Sequence, residues 1–85
     1  MASYRVRVKR SAIKELEALS LKDRRRIARR IQRLADQPRP PGCEKLSGQE
    51  NYRLRQGDYR ILYAVDDPES TVTVVKIGHR RDVYR

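Results

Sequence analysis

The sequence predicts an α+β fold: an N-terminal strand and a two-helix hairpin, followed by a three- to four-stranded, mostly antiparallel sheet with both helices on one face. Residues 4–9 alternate between apolar and basic side chains, as in a half-buried strand, whereas residues 11–35 carry apolar residues at helical spacing. Residues 52–78 return to strand-like runs that are separated by turn residues. We expect the 85 residues to form a single domain spanning 1–85.

The first strand, predicted over residues 4–9, has one apolar and one basic face. The apolar side chains are Tyr4, Val6 and Val8, and the basic ones are Arg5, Arg7 and Lys9. Since side chains alternate along a strand, the first set is expected to be buried and the second to face water.

Two helices are predicted next, each with a serine near its start. Ser11 is expected to cap the first helix, because a serine hydroxyl can accept a hydrogen bond from the first turn. Ser20 and Asp23 resemble a capping box at the start of the second helix. That helix presents Ile27 and Ile31 on one face and is expected to end before Pro38.

Gly57-Asp58 predicts a two-residue hairpin turn of type II′, in which the glycine supplies the positive φ. Such a turn sets the register of its strands, so Arg55 is expected to face Arg60 directly. The alternation then separates an apolar face, formed by Tyr52, Leu54, Ile61 and Tyr63, from a basic face formed by Arg53, Arg55 and Arg60.

The remaining strands are predicted around this hairpin. The run 59–66 is apolar on both faces at Leu62 and Ala64, which favours a central position in the sheet. Residues 66–70 are expected to form a turn before a last strand at 71–78, and a further strand is expected to begin between Leu46 and Gly48.

The facing arginines point to an external anion. Like charges directly opposite each other destabilise a sheet by a few tenths to about 1 kcal/mol. The formal net charge of the chain is +10, and 16 of its 21 basic residues are arginine, which binds phosphate through two parallel hydrogen bonds. We expect a nucleic acid as partner, with an acidic protein as the alternative.

Composition excludes several other classes of protein. Cys43 is the single cysteine, so an internal disulfide is excluded and a reducing compartment is expected. The chain shows no zinc-binding pattern, no glycine-rich phosphate loop, no secretory leader and no apolar run of membrane-spanning length. We therefore expect a cytoplasmic protein without a metal or another cofactor.

The chain resembles the RelE-type toxins of the RelE/ParE superfamily in element order and in three segments. These are Lys45-Leu46-Ser47-Gly48, the hairpin from Tyr52 to Tyr63, and Gly78-His79-Arg80-Arg81-Asp82-Val83-Tyr84. The resemblance implies the toxin of a type II toxin–antitoxin pair, which cuts mRNA in the ribosomal decoding site through attack by a ribose 2′-OH. It also implies a cognate antitoxin, the ribosome and mRNA as partners, and operator DNA only through the toxin–antitoxin complex.

The resemblance assigns catalytic roles to Arg53, Arg55, Arg60, Arg80 and Tyr84. Arginines stand at 53 and 55, where the family commonly has lysines, and an arginine is a very poor base. Tyr84 is therefore a candidate for proton transfer, since neighbouring guanidinium groups favour a phenolate, although it can equally serve as a stacking platform for a base. His79 is a possible acid or base, or alternatively a hydrogen-bonded surface residue.

Other basic residues are expected to contact RNA or to remain solvated. The RNA-binding candidates are Arg5, Arg7, Arg81 and Arg85. The second helix carries six arginines opposite its apolar stripe, which indicate either a solvated face or a surface for ribosomal RNA or the antitoxin. Two alternative functions stay open: ParE-type members of the superfamily are described as acting on DNA gyrase, and a non-catalytic RNA-binding module would carry the same charge.

Overall fold

The computed structural model describes residues 3–46 and 50–81, which form a five-stranded sheet covered on one face by two helices. The elements in chain order are β1 (Arg5–Val8), α1 (Arg10–Glu17), α2 (Leu21–Arg33), β2 (Glu44–Lys45), β3 (Asn51–Gln56), β4 (Tyr59–Asp66) and β5 (Thr71–His79). The strand order is β1-β5-β4-β3-β2, so β4 is central, as its sequence predicts. β1 and β5 are parallel and the other pairs are antiparallel, which confirms the mostly antiparallel α+β fold.

The helix starts differ in how they are capped. The Asp23 N–H donates to the Ser20 hydroxyl oxygen at 3.3 Å, as predicted for α2. The prediction for Ser11 is wrong, because α1 already begins at Arg10 after Lys9, and no side chain caps it. The Lys9 N–H donates to the Val74 carbonyl at 2.8 Å. This sheet contact holds Lys9 in an extended conformation, so the helix starts directly after it.

The core lies between the helices and one face of the sheet. Fully buried side chains include Ile27 and Leu34 from the helical layer and Leu54, Ile61 and Tyr63 from the sheet. The predicted apolar face of the hairpin is confirmed, because Tyr52 and Tyr63 are 5% and 0% exposed and their rings stack with centroids 5.7 Å apart. The arginine-bearing face of the sheet is not covered by a helix.

The β3–β4 hairpin has the predicted register, with Arg55 opposite Arg60 and Arg53 opposite Leu62. Gly57 has φ +60°, the conformation that the first position of a type II′ turn requires. The strand predicted to begin between Leu46 and Gly48 does not begin at Leu46, because β2 lies before it, at Glu44–Lys45; Ser47 and Gly48 lie outside the described residues.

The final strand is joined to the hairpin tip. A bulge between Leu62 and Tyr63 shifts the β4–β5 register, so that Arg60 faces Gly78. The Arg80 N–H then donates to the Asp58 carbonyl at 2.8 Å. The residues after β5 therefore start beside the turn that presents the arginines.

A polar network around Arg39 attaches the proline-rich loop to the sheet. The Arg39 guanidinium donates to the Asp67 carboxylate at 2.8 Å, to Glu50 at 3.2 Å and to the Tyr52 hydroxyl at 2.7 Å. The pKa of Glu50 is lowered by the hydrogen bond from Tyr52 and then by that from Arg39. The pKa of Asp67 is lowered by Arg39 and then by the Tyr4 hydroxyl, which donates to it at 2.5 Å.

Within residues 3–46 and 50–81, no helix is long and apolar enough to cross a membrane. No group of three or more histidine, cysteine, aspartate or glutamate side chains there could hold a metal ion.

Candidate active site

Three arginines lie together on the uncovered face of the hairpin. Tyr52, Leu54 and Ile61 point into the core, so the alternate positions Arg53, Arg55 and Arg60 point away from it. Arg55 and Arg60 are a directly opposite cross-strand pair. Arg55 and Arg60 thus lie side by side on neighbouring strands, and Arg53 lies on the same face two residues before Arg55 on β3.

Arg80 adds a fourth guanidinium group to this set. Its main chain is hydrogen-bonded to the turn, and its charge acts on Arg60. Burial lowers the pKa of Arg60, and repulsion from Arg55, Arg53 and Arg80 lowers it further. The charges of three predicted catalytic residues, Arg53, Arg55 and Arg80, therefore all act on a fourth, Arg60. We call Arg53, Arg55, Arg60 and Arg80 the arginine cluster.

Two predicted site residues at the chain end lie outside the described residues. These are Tyr84, the fifth catalytic candidate, and Arg85, a candidate for RNA binding. Arg81 is described and exposed, and its N–H donates to His79 Nδ1 at 3.2 Å. The assignments of Tyr84 and Arg85 stay predictions.

The structure does not bring His79 to the arginine cluster. His79 pairs with Tyr59, which lies on the helix-covered face, and their rings meet edge to face at 5.7 Å and 81°. The imidazole lines a cavity of about 300 Å³ together with Asp23 and Arg26 of α2. It is therefore separated from the arginine cluster by the sheet.

Arg5 and Arg7 share the uncovered face but lie at the far edge of the sheet. They are exposed on β1, where they face Thr71 and Thr73 of β5. β1 and β3 are separated by two strands, which corresponds to about 14 Å across the sheet. Both residues can contact a long RNA that crosses this face, but not the same phosphate as Arg55.

Sequence reasoning missed Glu44, which supplies a carboxylate beside the arginines. Glu44 lies on β2 directly opposite Arg53, and the two side chains form an ion pair. The Glu44 side chain remains 60% exposed. A two-residue strand is too short to show side-chain alternation in the sequence. The sequence signal for Glu44 was its position immediately before Lys45, where the first segment that resembles the RelE-type toxins begins.

The sequence indicated a solvated face or an RNA or antitoxin surface on α2, but it did not place an arginine of this helix beside the hairpin. Arg30 joins Arg53, Arg55 and Arg60 around a cavity of about 340 Å³ at the edge of β3. The other lining residues are Gly42, Glu44 and Leu54. Helical spacing alone places Arg30 beside the buried Ile27 and Ile31, but it does not show which strand this flank of the helix meets.

This arrangement can bind and stabilise a negatively charged phosphate. Guanidinium groups donate paired hydrogen bonds to phosphate oxygens and remain charged at any physiological pH. Among the side chains that line the cavity, the Glu44 carboxylate is the one that can act as a proton acceptor. The site therefore combines charge stabilisation with one potential base.

Comparisons with known proteins agree with this architecture. The family model described as the ParE toxin of the type II toxin–antitoxin system parDE matches residues 6–84. A putative RelE-like toxin protein of Escherichia coli is 28% identical over 85 residues, covering 95% of this chain and 90% of that protein. Toxin RelG of Mycobacterium tuberculosis is 44% identical over 34 residues, a match that spans 39% of the length of RelG and 40% of this chain.

A solved structure gives the same result at the level of the fold. RelE in the RelE–RelB complex of Pyrococcus horikoshii superposes with a TM-score of 0.85 and is 29% identical, covering 94% of this chain and 98% of that one. The family-model match extends over nearly the whole chain, and the fold is that of RelE. The chain therefore belongs to the ParE toxin family of type II toxin–antitoxin systems, within the RelE/ParE superfamily.

Proposed function

We propose that this toxin is a ribosome-dependent endoribonuclease that cleaves mRNA in the decoding site. The observation that supports the proposal is that Arg53, Arg55 and Arg60 share one uncovered face and that the charge of Arg80 also acts on Arg60. The charges of Arg53, Arg55 and Arg80 repel Arg60, and a bound phosphate would relieve that repulsion. A fold maintained for structural reasons alone gains nothing from this arrangement.

The proposed reaction is an internal transfer at one phosphodiester. The 2′-oxygen forms a bond to phosphorus while the bond from phosphorus to the 5′-oxygen breaks, giving a 2′,3′-cyclic phosphate and a 5′-hydroxyl end. Negative charge accumulates on the non-bridging oxygens in the transition state. Arg55, Arg60 and Arg80 would stabilise that charge, since preorganised cationic donors act most strongly where charge develops.

The reaction also requires two proton transfers. A base must accept the 2′-OH proton, and an acid must protonate the leaving 5′-oxygen. Glu44 is placed to act as the base, and its ion pair with Arg53 would hold the carboxylate at the cavity. Tyr84 is the proposed acid, with base stacking as its alternative role.

Ribosome dependence follows from what this site supplies. The arginine cluster offers electrostatic stabilisation, but in-line attack also requires the RNA to be held in one particular geometry. The uncovered face is open to solvent, with Arg55 and Arg80 exposed. In the proposal the decoding site supplies that geometry, so cleavage of free RNA by the protein alone should be weak.

A cognate antitoxin is the proposed regulatory partner. RelE of Pyrococcus horikoshii was solved in complex with RelB, and it shares the fold of this chain. The net charge of +10 favours rapid association with an acidic antitoxin segment that covers the arginine cluster. Operator DNA would be bound through the antitoxin of that complex.

A gyrase inhibitor is the second candidate, because the matching family model carries the ParE name. Gyrase inhibition has no evident need for an arginine cluster around a carboxylate. The two candidates therefore differ in what mutation of the cluster should do.

Mapping message ends on translating ribosomes tests the proposal. The wild-type protein should create new codon-specific 5′ ends, Arg55→Gln should abolish them, and Arg25→Gln, which removes the same charge from an exposed position of α2, should not. Intact message together with inhibited DNA supercoiling would support the gyrase inhibitor. Efficient, site-defined cleavage of free RNA would contradict the dependence on the ribosome.

A further inference from the structure

The cavity at the edge of β3 carries more positive charge than one phosphate can neutralise. Arg30, Arg53, Arg55 and Arg60 contribute four guanidinium groups, and Glu44 contributes one carboxylate, so the lining is formally three positive charges in excess. A phosphodiester carries one negative charge. After it has bound to Arg55 and Arg60, the cavity would still attract a second anionic group.

Arg30 also has a side-chain atom that lacks a hydrogen-bond partner among the described residues. This atom is its Nε, which is buried. A buried donor that stays unsatisfied destabilises a protein, and such groups are uncommon in native structures. None of the ion pairs found within residues 3–46 and 50–81 involves Arg30.

An RNA strand bound at the arginine cluster would pass the cavity at the edge of β3. Within residues 3–46 and 50–81, β2 pairs with Tyr52 and Arg53 only, so residues 54–56 form a free edge of the described sheet. Arg30 reaches this edge from α2, on the side opposite to β4 and β5. A strand that has its scissile phosphate at Arg55 and Arg60 can leave the cluster over this edge.

We propose that Arg30 and the cavity it lines form a subsite for a second RNA phosphate, the one adjacent to the scissile phosphate. This inference rests on the proposed endoribonuclease function for the identity of the ligand. Arg30 is then a positioning residue: it holds the neighbouring nucleotide and so aligns the 2′-OH for in-line attack. The reaction itself remains with the arginine cluster.

Short RNAs of defined phosphate number test the subsite. The probes are a dinucleotide with one linkage and a trinucleotide with two, both 2′-O-methylated so that cleavage is impossible. The wild-type protein should bind the trinucleotide roughly tenfold more tightly than the dinucleotide, since a charge-assisted hydrogen bond contributes about that factor. Arg30→Gln should lose this gain and keep the affinity for the dinucleotide.

Two further variants control for charge and folding. Arg29→Gln removes the same charge from the neighbouring, exposed position of α2 and should keep the gain. Arg30→Lys retains the charge but loses the planar guanidinium group, and should keep only part of the higher affinity for the trinucleotide. Because Arg30 Nε is unsatisfied, the melting temperature of Arg30→Gln should be no lower than that of the wild type.

The outcomes separate this inference from the function on which it rests. The subsite is overturned if Arg30→Gln and the wild type prefer the trinucleotide over the dinucleotide equally, or if the wild type shows no such preference. This holds even if ribosome-bound message is cut. Binding of hexaglutamate that depends on Arg30, without a trinucleotide gain, would assign the cavity to an acidic protein segment instead. Loss of the gain in Arg30→Gln alone supports the subsite even if no cleavage is found.

Discussion

Replacing Arg60 with glutamine is expected to stabilise the fold while removing most of the proposed activity. Arg60 lies directly opposite Arg55, and its pKa is lowered by burial and by the charges of Arg55, Arg53 and Arg80. Glutamine has a similar length and keeps hydrogen-bonding capacity without the charge. The variant therefore removes the repulsion at the centre of the arginine cluster.

The magnitude follows from the cross-strand geometry. A directly opposite like-charge pair costs a few tenths to about 1 kcal/mol, and Glu44 offsets part of the repulsion at Arg60. We expect a net gain of about 0.2–0.8 kcal/mol in the free energy of unfolding, which raises the melting temperature of a domain of this size by roughly 1–6 °C. Loss of one preorganised donor should lower message cleavage by about 10²–10³-fold.

Thermal unfolding followed by circular dichroism, at low salt and in 1 M salt, measures the first effect. Salt screens exposed charges, so the stabilisation should shrink at 1 M salt. Arg7→Gln is the matched control, because it removes an arginine from the same face where the opposite residue is Thr73. A melting temperature of Arg60→Gln below that of the wild type, or a rise that salt does not reduce, would refute the repulsion argument.

Three further predictions concern the base, the chain end and acid stability. Glu44→Gln should lower cleavage on ribosomes by about 10²-fold or more if the carboxylate is the base, and an unchanged rate would remove that role. Tyr84→Phe should also slow cleavage, whereas a wild-type rate would leave Tyr84 only a stacking role. Glu50 and Asp67 have lowered pKa values, so the folded protein binds fewer protons than the unfolded chain and its stability should fall as pH drops below about 4. Arg39→Gln should flatten this dependence in urea unfolding at pH 7 and pH 3; an equal loss in both proteins would show that other groups cause it.

The parts of the fold that were predicted correctly depend on local sequence. The hairpin register follows from a two-residue turn and strand alternation, and both act over a few residues. The start of α2 was predicted for the same reason, since the Ser20 hydroxyl and the Asp23 N–H are three residues apart. Ser11 failed as a cap because a distant sheet contact, from Lys9 to Val74, decided where α1 begins.

The site was predicted less completely than the fold, because its members come from separate elements. Resemblance to the RelE-type toxins identified the arginine cluster, but the sequence did not place Glu44 or Arg30 beside it. Each reaches the cavity through a contact between distant segments, β2 with β3 and α2 with the edge of β3. His79 was predicted as a possible acid or base, or alternatively as a surface residue, and strand alternation puts it on the opposite face of the sheet from the arginine cluster.

The sequence by itself determined that three arginines share one strand face and that two of them oppose each other, because turn length and side-chain alternation leave no other register. It also determined the excess of positive charge that makes a polyanion the natural partner. Only the tertiary structure decided what surrounds those arginines: Arg80 beside the turn, Glu44 against Arg53, and Arg30 at the free edge. The physical reason is that packing between distant segments, which local periodicity does not encode, sets which side chains share a cavity.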